Sequence, residues 1–179
     1  MKSINNFLNE SIENEVYLSE SILDADKPVS LRTAKKEIRE WILKNCILRG
    51  GKQIDVSDDF VVDCDNEVQY RNNATSSLTN GKFSWGYVNS FRCSFTQITS
   101  LEGAPEKVIN FDCNNCYNLK SLKGAPKEVR DGFFCYSCKK LTSLEGTPRK
   151  IGDWVECWGC DNLIITDKDR RKYNIHDRD

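Results

Sequence analysis

Residues 111–126 read FDCNNCYNLKSLKGAP, and residues 133–148 read FFCYSCKKLTSLEGTP. Each holds an aromatic residue, a Cys-x-x-Cys run, a leucine and then Ser-Leu-x-Gly-x-Pro. The same frame recurs on both sides of this pair. Upstream, Phe91-x-Cys93-x-x-Thr96 leads through Ile98 to Ser100-Leu101-Glu102-Gly103-Ala104-Pro105. Downstream, Val155-x-Cys157-x-x-Cys160 leads to Leu163, and a fainter copy, Val68-x-Tyr70-x-x-Asn73, stands one period before the others. The repeated leucines Leu101, Leu122 and Leu144 are 21 and 22 residues apart, which makes five coils of roughly 20 to 23 residues.

The physical content of that frame is a solenoid. Apolar-x-Cys alternates with period two, so it is a short strand with one face inward. The next inward position holds Asn73, Thr96, Cys116, Cys138 and Cys160 in successive coils. Each of these can hydrogen-bond a turn carbonyl that would otherwise be buried without a partner. The leucines fill the interior, and Gly-x-Pro turns the chain at the back of the coil. One coil cannot bury its apolar side alone, but stacking at the strand spacing of about 4.8 Å joins the coils into one core. The expected fold class is an α/β solenoid of about five coils with parallel strands.

The flanks read differently. Pro28 and Ser30 precede Leu31, Ala34, Ile38, Trp41 and Ile42, a helical stripe that Gly50-Gly51 is expected to stop. Its apolar side would shield the first coil as an N-terminal helical cap. Ile54, Val56, Phe60, Val62 and Cys64 then predict one or two cap strands. The expected organisation is a flexible leader over 1–27, a helix and strand cap over 28–66, the solenoid over 67–165, and a polar C-terminal tail or cap over 166–179. The single histidine, His176, lies in that tail and is expected to be solvated.

Composition narrows the function. The 179 residues carry 26 basic and 27 acidic side chains, so there is no basic footprint for nucleic acid and no polybasic membrane patch. No apolar run is long enough to span a bilayer. Nine cysteines without a secretory apolar segment in MKSINNFLNE point to free thiols in a reducing compartment. Three Cys-x-x-Cys pairs, Cys113/Cys116, Cys135/Cys138 and Cys157/Cys160, are separated by 18-residue gaps, a spacing that also suits a zinc ribbon. The same positions hold Cys93 and Thr96 in another coil, so buried core thiols are the preferred reading and zinc the alternative. One histidine allows no catalytic triad, and no phosphate-binding glycine loop is present, so the expectation is a non-enzyme without a cofactor.

Strand, Asn or Cys position and spaced leucines in one period resemble the leucine-rich repeat. The FxCxxNxLxSLxGAP spelling, with the preceding helix and the stretch Ile54–Phe60, resembles the leucine-rich-repeat proteins of tailed phages and some bacteria. The resemblance covers about residues 30–165. It implies a protein-protein interaction module whose partner is a host or phage protein in the host cell cytoplasm. The chain departs from that pattern in placing Cys where Asn is usual and in lacking a clean leucine around Leu78. At the start, Met1-Lys2-x4-Phe7-Leu8-x-Glu10-Ser11 resembles the capsid-targeting leader of internal head proteins in T-even-type phages. Their prohead protease cuts after Leu/Ile-x-Glu, which implies processing at Glu10–Ser11 or Glu20–Ser21 and packaging inside the virion head. Ile4, Phe7, Leu8 and Ile12 read equally as an ordinary amphipathic helix, and Ile38-Arg39-Glu40 matches the triplet inside the cap helix.

The strand frame also says which side chains point away from the core, onto the expected concave face. Coil by coil these are Gln69 and Arg71; Ser90, Arg92 and Ser94; Asn110, Asp112 and Asn114; Phe134 and Tyr136; Trp154, Glu156 and Trp158. The last two coils thus present four aromatics together, the residue types that protein interfaces enrich. Arg92, Asp112, Phe134, Tyr136, Trp154, Glu156 and Trp158 are the candidate partner-binding residues.

Overall fold

The computed structural model describes residues 27–51, 54–73 and 77–176. Helix α1 spans Val29–Asn45 and buries Ile38 and Ile42, one turn apart on the same side. Trp41 leaves that helix to stack on Tyr70 at 6.3 Å and to meet Phe83 edge-on at 5.4 Å. The helix stops at Asn45, ahead of the Gly50-Gly51 pair expected to end it. Strand β1, Cys46–Arg49, begins at once and pairs antiparallel with the end of β3, Val61–Tyr70, setting Cys46 opposite Tyr70. That ladder competes with further helix, and the Asn45 side-chain amide closes the last turn by donating to the Trp41 carbonyl at 2.6 Å.

The remaining strands are β2 (Asp55–Val56), β4 (Ser84–Arg92), β5 (Lys107–Asp112), β6 (Glu128–Val129), β7 (Phe133–Phe134), β8 (Lys150–Ile151), β9 (Val155–Glu156) and β10 (Ile175–His176). Strands β3, β4, β5, β7, β9 and β10 follow one another in parallel register, the rungs of a β-solenoid of about five turns. Among the described residues helices lie only at the two ends, α1 and the short α2 (Asp167–Lys172). The α/β expectation is corrected to that extent: each coil returns through turns. The physical reason is Gly-x-Pro, since Gly124 and Gly146 hold φ of +86° and +89° and the prolines donate no backbone hydrogen bond. The expected boundary between residues 66 and 67 falls inside β3, which runs unbroken from the flank into the first coil.

Strand register explains the core. Leu48, Val68, Phe91, Phe111, Phe133, Val155 and Ile175 form one apolar column across seven strands. In its middle the rings of Phe91, Phe111 and Phe133 stack nearly parallel, 5.8 and 5.5 Å apart. A second column runs Cys64, Val88, Val108, Val129 and Ile151. Leu78, expected to be a weak point, is fully buried, and its N–H donates to the Glu102 carbonyl just as Leu101 donates to Lys123. The Asn73 expectation fails, because Asn73 is exposed. From the fourth rung on, the strand splits in two. Val129 and Phe133 are separated by one residue more than Val108 and Phe111, so Arg130, Asp131 and Gly132 bulge between β6 and β7. They keep backbone hydrogen bonds to the rung before, Asp131 N–H to the Ile109 carbonyl at 2.9 Å and Phe111 N–H to the Gly132 carbonyl at 3.1 Å.

Candidate interaction surface

The three Cys-x-x-Cys pairs are turns. The residue before the second cysteine is left-handed each time, Asn115 at φ +56°, Ser137 at +56° and Gly159 at +68°, as is Phe95 in the Cys93–Thr96 turn. Such a turn sends both flanking thiols into the coil interior, and all nine cysteines are buried with no disulfide among them. The second thiol of each pair donates to a strand-end carbonyl of the preceding coil: Cys116 to Cys93 at 3.2 Å, Cys138 to Cys113 at 3.3 Å and Cys160 to Cys135 at 3.1 Å. Thr96 serves its own coil, donating to the Cys93 carbonyl at 2.6 Å. From Thr96 onward the position expected to satisfy turn carbonyls therefore does so, with the bond crossing from coil to coil wherever it is cysteine. Burial pushes the Cys93, Cys113 and Cys135 thiols well above their ordinary range.

Among the described residues, no three histidine, cysteine or acidic side chains are arranged to hold a metal ion. Cys113, Cys116, Cys135, Cys138, Cys157 and Cys160 stack in two columns along the solenoid and are not gathered into a four-thiolate tetrahedron. A disulfide reagent should therefore label the native chain at least about a hundredfold more slowly than the chain in guanidinium, where all thiols become accessible. Rapid labelling of the folded chain would show that the coils open far more easily than this packing implies.

The opposite, outward face carries the candidate binding residues in rows. Gln69, Arg92, Asp112, Phe134, Glu156 and His176 are successive neighbours across the strands. At the first coils the row is charged and ion-paired within itself, although Glu67 Oε1 and Arg92 Nε are buried without a hydrogen bond among the described residues. Arg92 lies 3.0 Å from Asp112 and 3.8 Å from Glu67, which Arg49 also approaches at 3.8 Å. Asp112 further accepts from the Ser94 hydroxyl and, at 3.0 Å, from the Asn114 backbone N–H. Asn114, expected on the open face, is instead buried, because its side-chain oxygen accepts the Tyr136 N–H at 2.9 Å.

At the last coils the same face turns aromatic. Tyr136 and Trp158 stack at 4.4 Å with their planes 5° apart, and Phe134 meets Trp154 edge-on at 6.3 Å. All four are half-buried. Gly132 makes room for this: a Cβ there would lie 2.6 Å from the Phe134 ring and 3.3 Å from the Trp154 indole nitrogen. His176 is exposed, as expected, and it also stacks on Trp154 at 5.9 Å with planes 2° apart. It is carried there by β10, which pairs with β9 after helix α2, whose capping box joins Thr166 and Asp169. The signal was present in the sequence, because Val155 to Ile175 repeats the 20-residue step from Phe91 to Phe111. Phe95 and Tyr117, on the strand-end turns, are two further exposed aromatics outside the expected set, at 66% and 49% exposure.

Glu10, Ser11, Glu20 and Ser21 lie outside the described residues. No helix among the described residues is long and apolar enough to cross a membrane. No family model, no curated protein and no solved structure matches this chain.

Proposed function

We propose that this chain is a non-enzymatic protein-protein interaction module of the leucine-rich-repeat kind, phage-encoded, with α1 as its N-terminal cap. Its partner is a host or phage protein, met in the host cytoplasm, and the leader motif fits packaging in the virion. The observation that carries the binding reading is the cluster of Phe134, Tyr136, Trp154 and Trp158 on one open face, held by ring contacts and by a backbone ladder. Aromatic side chains fixed this way present large apolar area while losing little further rotamer freedom on binding. The same rings contribute little to the core, which lies on the other side of the strands.

Replacing Trp154 and Trp158 together by alanine should reduce partner capture from infected cells at least about tenfold, the usual weight of two buried aromatic anchors. The thermal midpoint of the solenoid should move far less than it does for a core change. Undiminished capture by the double variant would refute the reading.

A further inference from the structure

Glu156 sits at the centre of the aromatic end. Along its own rung it lies between Trp154 and Trp158, two residues away on either side and on the same face. Across the sheet its register neighbours are Phe134 on one strand and His176 on the other. All four lattice neighbours of this half-buried carboxylate are thus rings, and the described residues give its side chain neither a hydrogen bond nor an ion pair. Its counterpart in the same row, Asp112, is fully engaged by Arg92, Ser94 and Asn114. Two lysines of the last coils are committed elsewhere, Lys139 to Asp161 at 2.8 Å and Lys150 to Glu128.

Ring faces carry negative charge density, so they give a neighbouring anion nothing, yet they attract a cation, as the carboxylate does. A flat guanidinium suits such a place best, because it can lie on an indole and bond a carboxylate oxygen at once. We infer that Glu156, framed by Phe134, Trp154, Trp158 and His176, receives an arginine side chain of the protein partner. This rests on the reading of the face as a binding surface and adds the chemistry of what it recognises.

The test uses the full chain and two short blocked glycine-serine peptides, one with a central arginine and one with citrulline, its neutral isostere. The indole N–H signals of Trp154 and Trp158 are followed by NMR during titration. The arginine peptide should shift both signals and bind about fivefold or more tightly than the citrulline peptide. Glu156→Gln should erase that preference while leaving the dispersed spectrum of the fold unchanged. Equal response to the two peptides, no response to either, or an undiminished preference in Glu156→Gln would each overturn the assignment. Concentration-dependent self-association in place of a peptide response would overturn it too, giving the face to a second copy and its exposed Arg171 and Lys172. Failure here is distinguishable from failure of the broader reading, which stands or falls on capture by the Trp154/Trp158 double variant.

Discussion

Phe111→Ala should destabilise the chain by about 3–5 kcal/mol, read as a lowered midpoint of urea unfolding. Phe111 is fully buried and is stacked from both sides, by Phe91 at 5.8 Å and Phe133 at 5.5 Å. Truncation removes both ring contacts and leaves a void between rungs that cannot close, because the backbone ladder fixes the strand spacing. Position matters as much as volume. In a stack where each coil touches only its neighbours, damage in the middle uncouples two halves, so the transition should broaden as well as shift. Phe111→Leu, which keeps much of the volume, should cost less than about half as much. A loss under about 1.5 kcal/mol for the alanine variant would mean that the core is loosely packed at its centre.

The second large effect concerns glycine. Gly124 combines a φ of +86° with a close approach to the coil before it: a Cβ would lie 2.5 Å from Glu102 Cα and N and 2.7 Å from the Leu101 carbonyl carbon. Those atoms are backbone and cannot swing aside. Gly81 offers the matched comparison, with φ +77° and nothing within 4 Å of the position a Cβ would take. Gly81→Ala should therefore lose only the left-handed conformational term, about 1–2 kcal/mol. Gly124→Ala should lose that and about 2 kcal/mol or more besides, through forced separation of adjacent coils. Equal losses for the two variants, measured by the same unfolding experiment, would show that the turns are not in tight contact.

The solenoid was legible because its period is written in bulky residues: Phe91, Phe111 and Phe133 announce the stack, and Leu101, Leu122 and Leu144 the return of each coil. Periodicity was blind to competition between hydrogen-bond partners. The stripe through Ile38, Trp41 and Ile42 continues far enough to suggest helix up to Gly50, but pairing of Cys46–Arg49 with β3 wins that segment. One inserted residue between Val129 and Phe133 was visible in the spacing, yet its consequence, a strand broken in two, depends on the neighbouring rung. The thiols were ambiguous for a reason of scale. A coil of this length puts successive Cys-x-x-Cys turns at the same separation along the chain as a zinc ribbon needs, and only their stacking direction tells the two apart. At the surface, alternation points Trp154, Glu156 and Trp158 away from the core, where they lie half-buried, whereas the stacking of the exposed His176 on Trp154 was hidden because a polar tail carries the last repeat step.

The strands at the two ends of the sheet have a consequence for assembly. Parallel rungs are self-templating, and a long free edge would invite another chain to add on and lengthen the array into a fibre. Here the outermost strands are brief: β2, β8 and β10 offer two residues each and β1 four, and β1 and β2 run against the direction of the rungs. A copy arriving in the same orientation meets an edge too short to bind and, at one end, of the wrong polarity to continue the parallel ladder. Length is thus limited by the ends of the sheet, while the coils between them could be multiplied without altering either edge.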